Sequence, residues 1–103
     1  LRKNNVKEAE DFFQRALQQE PDDSASLLQL GQIRYRQGAL EDARKLVGRY
    51  NKIVEPTAES LWLALRVERK RGERVAEAGH ANQLRRRFPT SREYQQLQRG
   101  EYD

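Results

Sequence analysis

Apolar residues recur at helical spacing in successive stretches along the chain, with glycine or proline at the junctions. Over 24–57, Leu27 and Leu30 lead into Gly31, and Gly38 follows seven residues later. Beyond Gly38, Leu40, Ala43, Val47, Tyr50 and Val54 fall at i, i+3, i+7, i+10 and i+14, which is one helical face. Residues 6–19 carry Val6, Ala9, Phe13, Ala16 and Leu17 on another such face. Leu61, Ala64, Leu65 and Val67 mark a helix after Thr57, a good N-cap with Ser60 close by. Val75, Ala78, Ala81, Leu84 and Phe88 mark the next, which Gly79 weakens by about 1 kcal/mol against alanine. Phe88-Pro89 ends it, Ser91 caps a last helix over 92–99 with Tyr94 and Leu97 on its apolar side, and Gly100 stops that helix. The pattern predicts helices throughout.

The punctuation is periodic. Asn4, Gly38 and Gly72 stand 34 residues apart, and asparagine substitutes for glycine where φ must be positive. The spacing therefore predicts three equivalent turns, with residues 1–5 forming the tail of one helix and a turn. Pro21, Pro56 and Pro89 repeat at an average of 34 residues. Asp22, Asp23 and Ser24 are N-cap candidates after the first proline.

This text resembles the tetratricopeptide repeat, a 34-residue helix–turn–helix unit. Leu27 stands for the family's Trp, Leu30-Gly31 for its Leu-Gly, Gly38 at its turn, and Ala43 and Val47 for its A-x3-F. Ala9, Phe13 and Ala16-Leu17 match the same second-helix text. Arg34 departs from the usual Tyr, Tyr50 from a small residue, and Pro56 arrives one place late. Leu65 replaces the family's glycine, so the third hairpin is expected to be splayed or shifted. The resemblance implies an all-α domain, a right-handed superhelix of antiparallel helix pairs. The expected division is a truncated repeat over 1–23, a repeat over 24–56, a degenerate repeat over 57–89, and a capping helix with tail over 90–103.

Composition fits an elongated array with a thin aliphatic core: 35% of the residues are charged, 36% hydrophobic and 8% aromatic. With no cysteine there is no disulfide or thiolate chemistry. There is no apolar run long enough to span a membrane and no signal-like segment. The chain has no methionine, and Leu1 opens inside a helical pattern, so a piece of a longer protein is expected, with Phe12 or Phe13 exposed where an upstream helix would cover them. The net charge of +4 is concentrated in 64–88, where Arg66, Arg69, Lys70, Arg71, Arg74, Arg85, Arg86 and Arg87 face only Glu68, Glu73 and Glu77. This basic stretch reads three ways: a solvated face with internal pairs, a surface for an acidic protein or peptide, or a contact for nucleic acid or anionic lipid. Nucleic acid is disfavoured, because stacking aromatics are wanted and only Trp62 is near.

No catalytic constellation is present, and no enzyme is expected. His80 is the one histidine, read as a boundary residue, and without a second His or a Cys no metal site can be built. The glycines form no phosphate loop, so no cofactor or small-molecule substrate is expected. What remains is a surface. In tetratricopeptide arrays the first helix of each unit lines the concave groove. By register this places Leu28, Gln32, Tyr35 and Arg36 there, and Trp62, Arg66, Arg69 and Lys70 in the next unit. An exposed Trp beside Arg and Tyr has the composition of a binding hot spot, against the plainer reading that Trp62 packs between helices. The Lys and Asn combination of the family's carboxylate clamp is missing, so chaperone tails are not expected ligands.

Residues 83–103, QLRRRFPTSREYQQLQRGEYD, resemble the end of the type IV pilus biogenesis/stability lipoproteins, the PilF/PilW pilotin family. The matching text is Arg86-Arg87-Phe88-Pro89-Thr90-Ser91, the helix through Leu97, and Gly100-Glu101-Tyr102. That resemblance implies a scaffold at the periplasmic face of the outer membrane, held by an N-terminal lipid upstream of Leu1, with a pilus secretin subunit as protein partner. A cytoplasmic location stays open, as does a generic peptide-binding adaptor of another complex or a nucleic-acid binder using the basic face.

Overall fold

The computed structural model describes residues 3–103, which form six helices. They are α1 (Lys3–Gln19), α2 (Ser24–Arg36), α3 (Leu40–Ile53), α4 (Ala58–Arg71), α5 (Arg74–Arg87) and α6 (Arg92–Arg99). Helix α1 packs on α2, α2 pairs with α3, α3 packs on α4, α4 pairs with α5, and α6 closes the end against α4 and α5. The described residues measure 35 × 28 × 24 Å.

The turns follow local chemistry. Gly38 and Gly72 both have φ of +77°, a left-handed conformation that glycine adopts without a Cβ clash, and each ends the first helix of a pair. The third expected turn does not form at Asn4. That residue lies inside α1, and no residue other than glycine takes a positive φ among the described residues. Asparagine is tolerated within a helix at a modest cost in propensity, so the 34-residue spacing alone did not require a turn there. Residues 1 and 2 lie outside the described ones. Thr57 caps α4 as expected: its Oγ1 accepts from the Ser60 N–H at 3.0 Å, and the Thr57 N–H donates back to Ser60 Oγ at 2.8 Å. Asp23 is the N-cap position of α2, and its carboxylate accepts from the Ser26 hydroxyl.

The core is split in two. One cluster joins Leu27, Leu28 and Tyr35 of α2, Ala43, Val47 and Tyr50 of α3, and Leu63, Ala64 and Val67 of α4. The other joins Leu61, Trp62 and Leu65 of α4 to Leu84 of α5, with Phe88, Tyr94, Leu97 and Tyr102 against it. Helix α4 belongs to both and is buried almost all round, from Ser60 to Leu65 and again at Val67 and Glu68.

Two packing details separate the repeats. A Cβ on Gly31 would lie 3.3 Å from Leu63 Cδ2 and 3.6 Å from Leu46 Cβ, so the glycine permits the close approach of α2 to α3 and α4. At the equivalent place one repeat later, Leu65 is fully buried beside Leu84. Helix α5 forms despite Gly79, but its inward face is not the expected one. Val75 is 89% exposed and Ala78 is exposed, while Ala81, Leu84 and Phe88 face the core. At about 100° per residue, Val75 and Leu84 stand half a turn apart, so both cannot point inward. Phe12 on α1 is 67% exposed and meets Phe13 edge-on at 5.3 Å.

Candidate protein-binding cleft

Helices α2 and α4 run side by side, and their repeat register stacks equivalent positions. Gln32 and Arg66, one repeat length apart, join by a bond from Arg66 Nη2 to Gln32 Oε1 at 3.4 Å. Gln32 Nε2 in turn donates to Glu59 Oε2 at 3.4 Å. Helix α6 supplies the opposite wall. The result is an open cleft of about 390 Å³ between Gln32 and Arg36 of α2, Trp62 and Arg66 of α4, and Arg92 and Gln96 of α6.

The expected groove residues divide into two kinds. Gln32, Arg36, Arg66, Arg69 and Lys70 reach solvent, Arg66 only in part. Leu28, Tyr35 and Trp62 are 4–7% exposed, which corrects the expectation of an exposed Trp and Tyr. Leu28 is a core residue of the first cluster. Tyr35 belongs to the first apolar cluster and Trp62 to the second, between α4 and α5, and the chain also turns back over both. At Gly100, φ is +70° and the Glu101 N–H donates to the Gln96 carbonyl at 2.9 Å, redirecting the tail onto α4. The Tyr102 ring then stacks on Trp62 with centroids 5.8 Å apart and planes 20° apart, and the Arg69 guanidinium stands 3.8 Å from its centroid. Tyr35 Oη donates to Asp103 Oδ1 at 2.7 Å, and Lys70 Nζ lies 3.7 Å from the same oxygen.

Arg66 sits at the meeting point of tail and cleft. Its guanidinium lies 4.9 Å from the Tyr35 centroid and 5.4 Å from that of Trp62, a cation held on two aromatic faces. Half-burial pushes its pKa down, the charges of Tyr35 and Asp103 opposing. No carboxylate stands within ion-pair distance of it among the described residues. Four of the other seven basic residues of 64–88 are paired: Arg69 with Glu77 at 3.1 Å, Lys70 with Asp103 at 3.7 Å, Arg71 with Glu68 and Glu41 at 2.6 and 2.7 Å, and Arg87 with Glu55 at 2.7 Å. Those pairs favour the solvated-face reading for that part of the stretch; Arg74, Arg85 and Arg86 are exposed cations without an ion pair among the described residues, and Arg66 is the half-buried one without a pair.

Burial, and then the bond to Asp103, raises the Tyr35 hydroxyl from 10.0 to about 12, while the same bond holds the Asp103 carboxyl below its usual 3.8. A raised tyrosine stabilises the fold fully below its ordinary value and stops doing so as pH climbs through the folded one. A lowered carboxyl stabilises above its ordinary value and loses that as pH falls through the folded one. Tail docking is therefore expected to persist through neutral pH and to fail near pH 12 at the alkaline side. Spectrophotometric titration checks this: a tyrosinate transition near pH 12 should be present in the protein and missing from Tyr35→Phe.

His80 is half-buried, with burial lowering its pKa and the Glu68 charge opposing. Among the described residues no group of His, Cys, Asp or Glu is placed to hold a metal ion, and no helix is long and apolar enough to cross a membrane. Tyr102 and Asp103 carry no repeat-register signal, since they lie past the last repeat. The hint for them is a helix-ending glycine followed by an aromatic and an acid.

The antiparallel pairs α2–α3 and α4–α5, with their concave cleft, define a helical-repeat interaction domain. The tetratricopeptide repeat family model matches residues 1–66, and the chain belongs to that family. No curated protein matches it. Similar solved structures include those of PilF and PilW. One, from a functional characterisation of Pseudomonas aeruginosa PilF, superposes with a TM-score of 0.86 at 24% identity, over 94% of this chain and 44% of that one. The other is the crystal structure of PilW, described as a widely conserved type IV pilus biogenesis factor, with a TM-score of 0.82 at 26% identity, over 92% of this chain and 44% of that one. The chain thus spans less than half the length of either.

Proposed function

We propose that this chain is a non-enzymatic scaffold of type IV pilus biogenesis, a pilotin that helps an outer-membrane secretin to localise and assemble. The observation that carries the reading is the likeness to PilW across 92% of the chain. The tail text Phe88-Pro89-Thr90-Ser91 and Gly100-Glu101-Tyr102 supports it. In this reading the membrane address comes from a lipid anchor upstream of Leu1, and the protein acts at the periplasmic face. The partner surface is the α2–α4 face, with Gln32, Arg36, Arg66, Arg69 and Lys70 as its accessible side chains and Tyr35 and Trp62 as its floor. A preformed helical groove suits such work, because little ordering cost falls on the scaffold when the partner docks.

Affinity capture from envelope extract of the source bacterium, comparing the tagged protein with Arg66→Glu, tests the reading. Recovery of a secretin subunit, reduced at least about tenfold by the charge reversal, is the expected result; a buried or half-buried cation contact of this kind is worth about 1.5–3 kcal/mol. Circular dichroism of Arg66→Glu should show unchanged helicity. Absence of any secretin from the wild-type capture would reject the pilotin reading, and equal recovery by both proteins would move the partner surface away from the cleft.

A further inference from the structure

The α2–α4 face beside the cleft already holds a ligand-like segment, and its identity is written in the chain. Residues 100–103 leave α6, cross to α4, and lay one aromatic ring and one carboxylate on the face that α2 and α4 build. The ring meets Trp62 and the Arg69 guanidinium. The carboxylate meets the Tyr35 hydroxyl and the Lys70 ammonium. Each tail group finds a complementary group: a π face and a cation for the ring, a hydroxyl donor and a cation for the acid.

The segment lies on the surface rather than inside it. The Asp103 side chain is 67% exposed, Glu101 is exposed, and Tyr102 is only partly covered. The floor beneath is nearly sealed when the tail is present, with Tyr35 at 4% and Trp62 at 5% exposure. Lifting the tail uncovers the Trp62 face on which Tyr102 stacks and the Tyr35 hydroxyl that holds Asp103, flanked by Arg66, Arg69 and Lys70. Beside this lies the open cleft of about 390 Å³, and Arg66, which has no carboxylate partner among the described residues, faces both.

We infer that the α2–α4 face recognises a partner segment in which an aromatic residue is followed directly by an acidic one, and that Tyr102-Asp103 occupies this place until the segment exchanges with it. This deepens the reading of the cleft as the partner surface and rests on it. The partner's ring takes the position on Trp62 and Arg69, and its carboxylate that between Tyr35 and Lys70. The open part of the cleft, lined by Glu59 and Glu93 as well as Arg36, Arg66 and Arg92, leaves room for neighbouring polar residues of the same segment. Tethering sets the competition. A segment joined by two residues to α6 presents itself at an effective concentration on the order of millimolar, so an incoming peptide competes poorly unless it adds contacts in the open cleft. Exchange therefore favours a partner that fills both places over one that merely copies the tail.

The test uses the whole chain and the amidated hexapeptide Gln-Arg-Gly-Glu-Tyr-Asp, which repeats residues 98–103. It is titrated into the protein and into Tyr102→Ala/Asp103→Ala. Trp62, the one tryptophan, reports by its fluorescence, with calorimetry as a second readout. The double variant should bind the peptide at least about tenfold more tightly than the unaltered protein, and peptides carrying Tyr→Ala or Asp→Asn should lose at least about tenfold on the variant. Equal affinity for both proteins, or no binding to the variant, overturns the inference. Should the double variant lose helicity, Asp103→Asn alone, which keeps the ring, must show the tighter binding, or the inference falls. The two readings fail separately. Peptide exchange without secretin capture would sink the pilotin reading and leave this one standing. Secretin capture that is the same for the protein and its tail variant, with no peptide binding, would do the reverse.

Discussion

Restoring the repeat's usual glycine at position 65 is expected to destabilise the domain by about 3–6 kcal/mol. Removing a buried leucine costs about 2–5 kcal/mol through lost burial and the cavity left behind, and glycine inside a helix adds about 1 kcal/mol. Leu65 has no exposed surface and packs with Leu61, Trp62 and Leu84. A substitution toward the family pattern should thus act as a severe core deletion, because Leu65 fills space against Leu84 of α5 that glycine would leave empty. Against a typical total stability of about 5–15 kcal/mol, this would lower the melting temperature by more than about 12 °C. Urea denaturation followed by circular dichroism measures it. A loss below about 1 kcal/mol would mean that α5 closes onto α4 once Leu65 is gone, and that the leucine does not set the spacing of the third hairpin.

The second large effect is expected at Leu63→Ala, at about 3–5 kcal/mol. Leu63 is fully buried and carries α4 into the first cluster, against α2 and α3. It is also the side chain whose Cδ2 would stand 3.3 Å from a Cβ at position 31. The two sites should therefore couple. In the unaltered protein Gly31→Ala must push Leu63 aside, which offsets the gain of about 1 kcal/mol in helix propensity. In Leu63→Ala the same methyl enters free space and should recover part of the loss. A double-mutant cycle should give a coupling of at least about 0.5 kcal/mol; additive effects would show that the glycine is not there for the sake of Leu63.

How much of this was legible in the sequence depends on which signal each residue carries. Helices and turns were readable where punctuation and period agreed, as at Gly38, Gly72, Thr57 and Gly100. Asn4 misled because asparagine, unlike a turn glycine, is also tolerated within a helix. Val75 misled because an apolar residue at roughly the right interval can still stand half a turn from Leu84. The groove register was readable in part: Gln32 and Arg66 do stack across the repeat, and Arg66 does face the cleft. The packing of Trp62 between helices was readable as the plainer alternative, but the further cover over Tyr35 and Trp62 was not, since it depends on a tail with no repeat period folding back across the array. Periodicity describes what neighbouring units do to one another, and it is silent about a segment that belongs to no unit.

Helix α4 has a consequence for how the array opens. Its faces feed two separate apolar clusters, Leu63, Ala64 and Val67 on one side and Leu61, Trp62 and Leu65 on the other. In a linear repeat array each unit is stabilised chiefly by its neighbours, so a helix shared by both clusters is the hinge pin of cooperativity. Helices α5 and α6 can detach while α2 and α3 stay closed, because only the second cluster is lost. The converse loss of α4 dissolves both at once. Amide protons of α4 should accordingly exchange through the deepest openings, and those of α6 through the shallowest. The proposed binding face is thus built partly on the helix expected to open last, while the segment that covers it hangs from the one expected to open first.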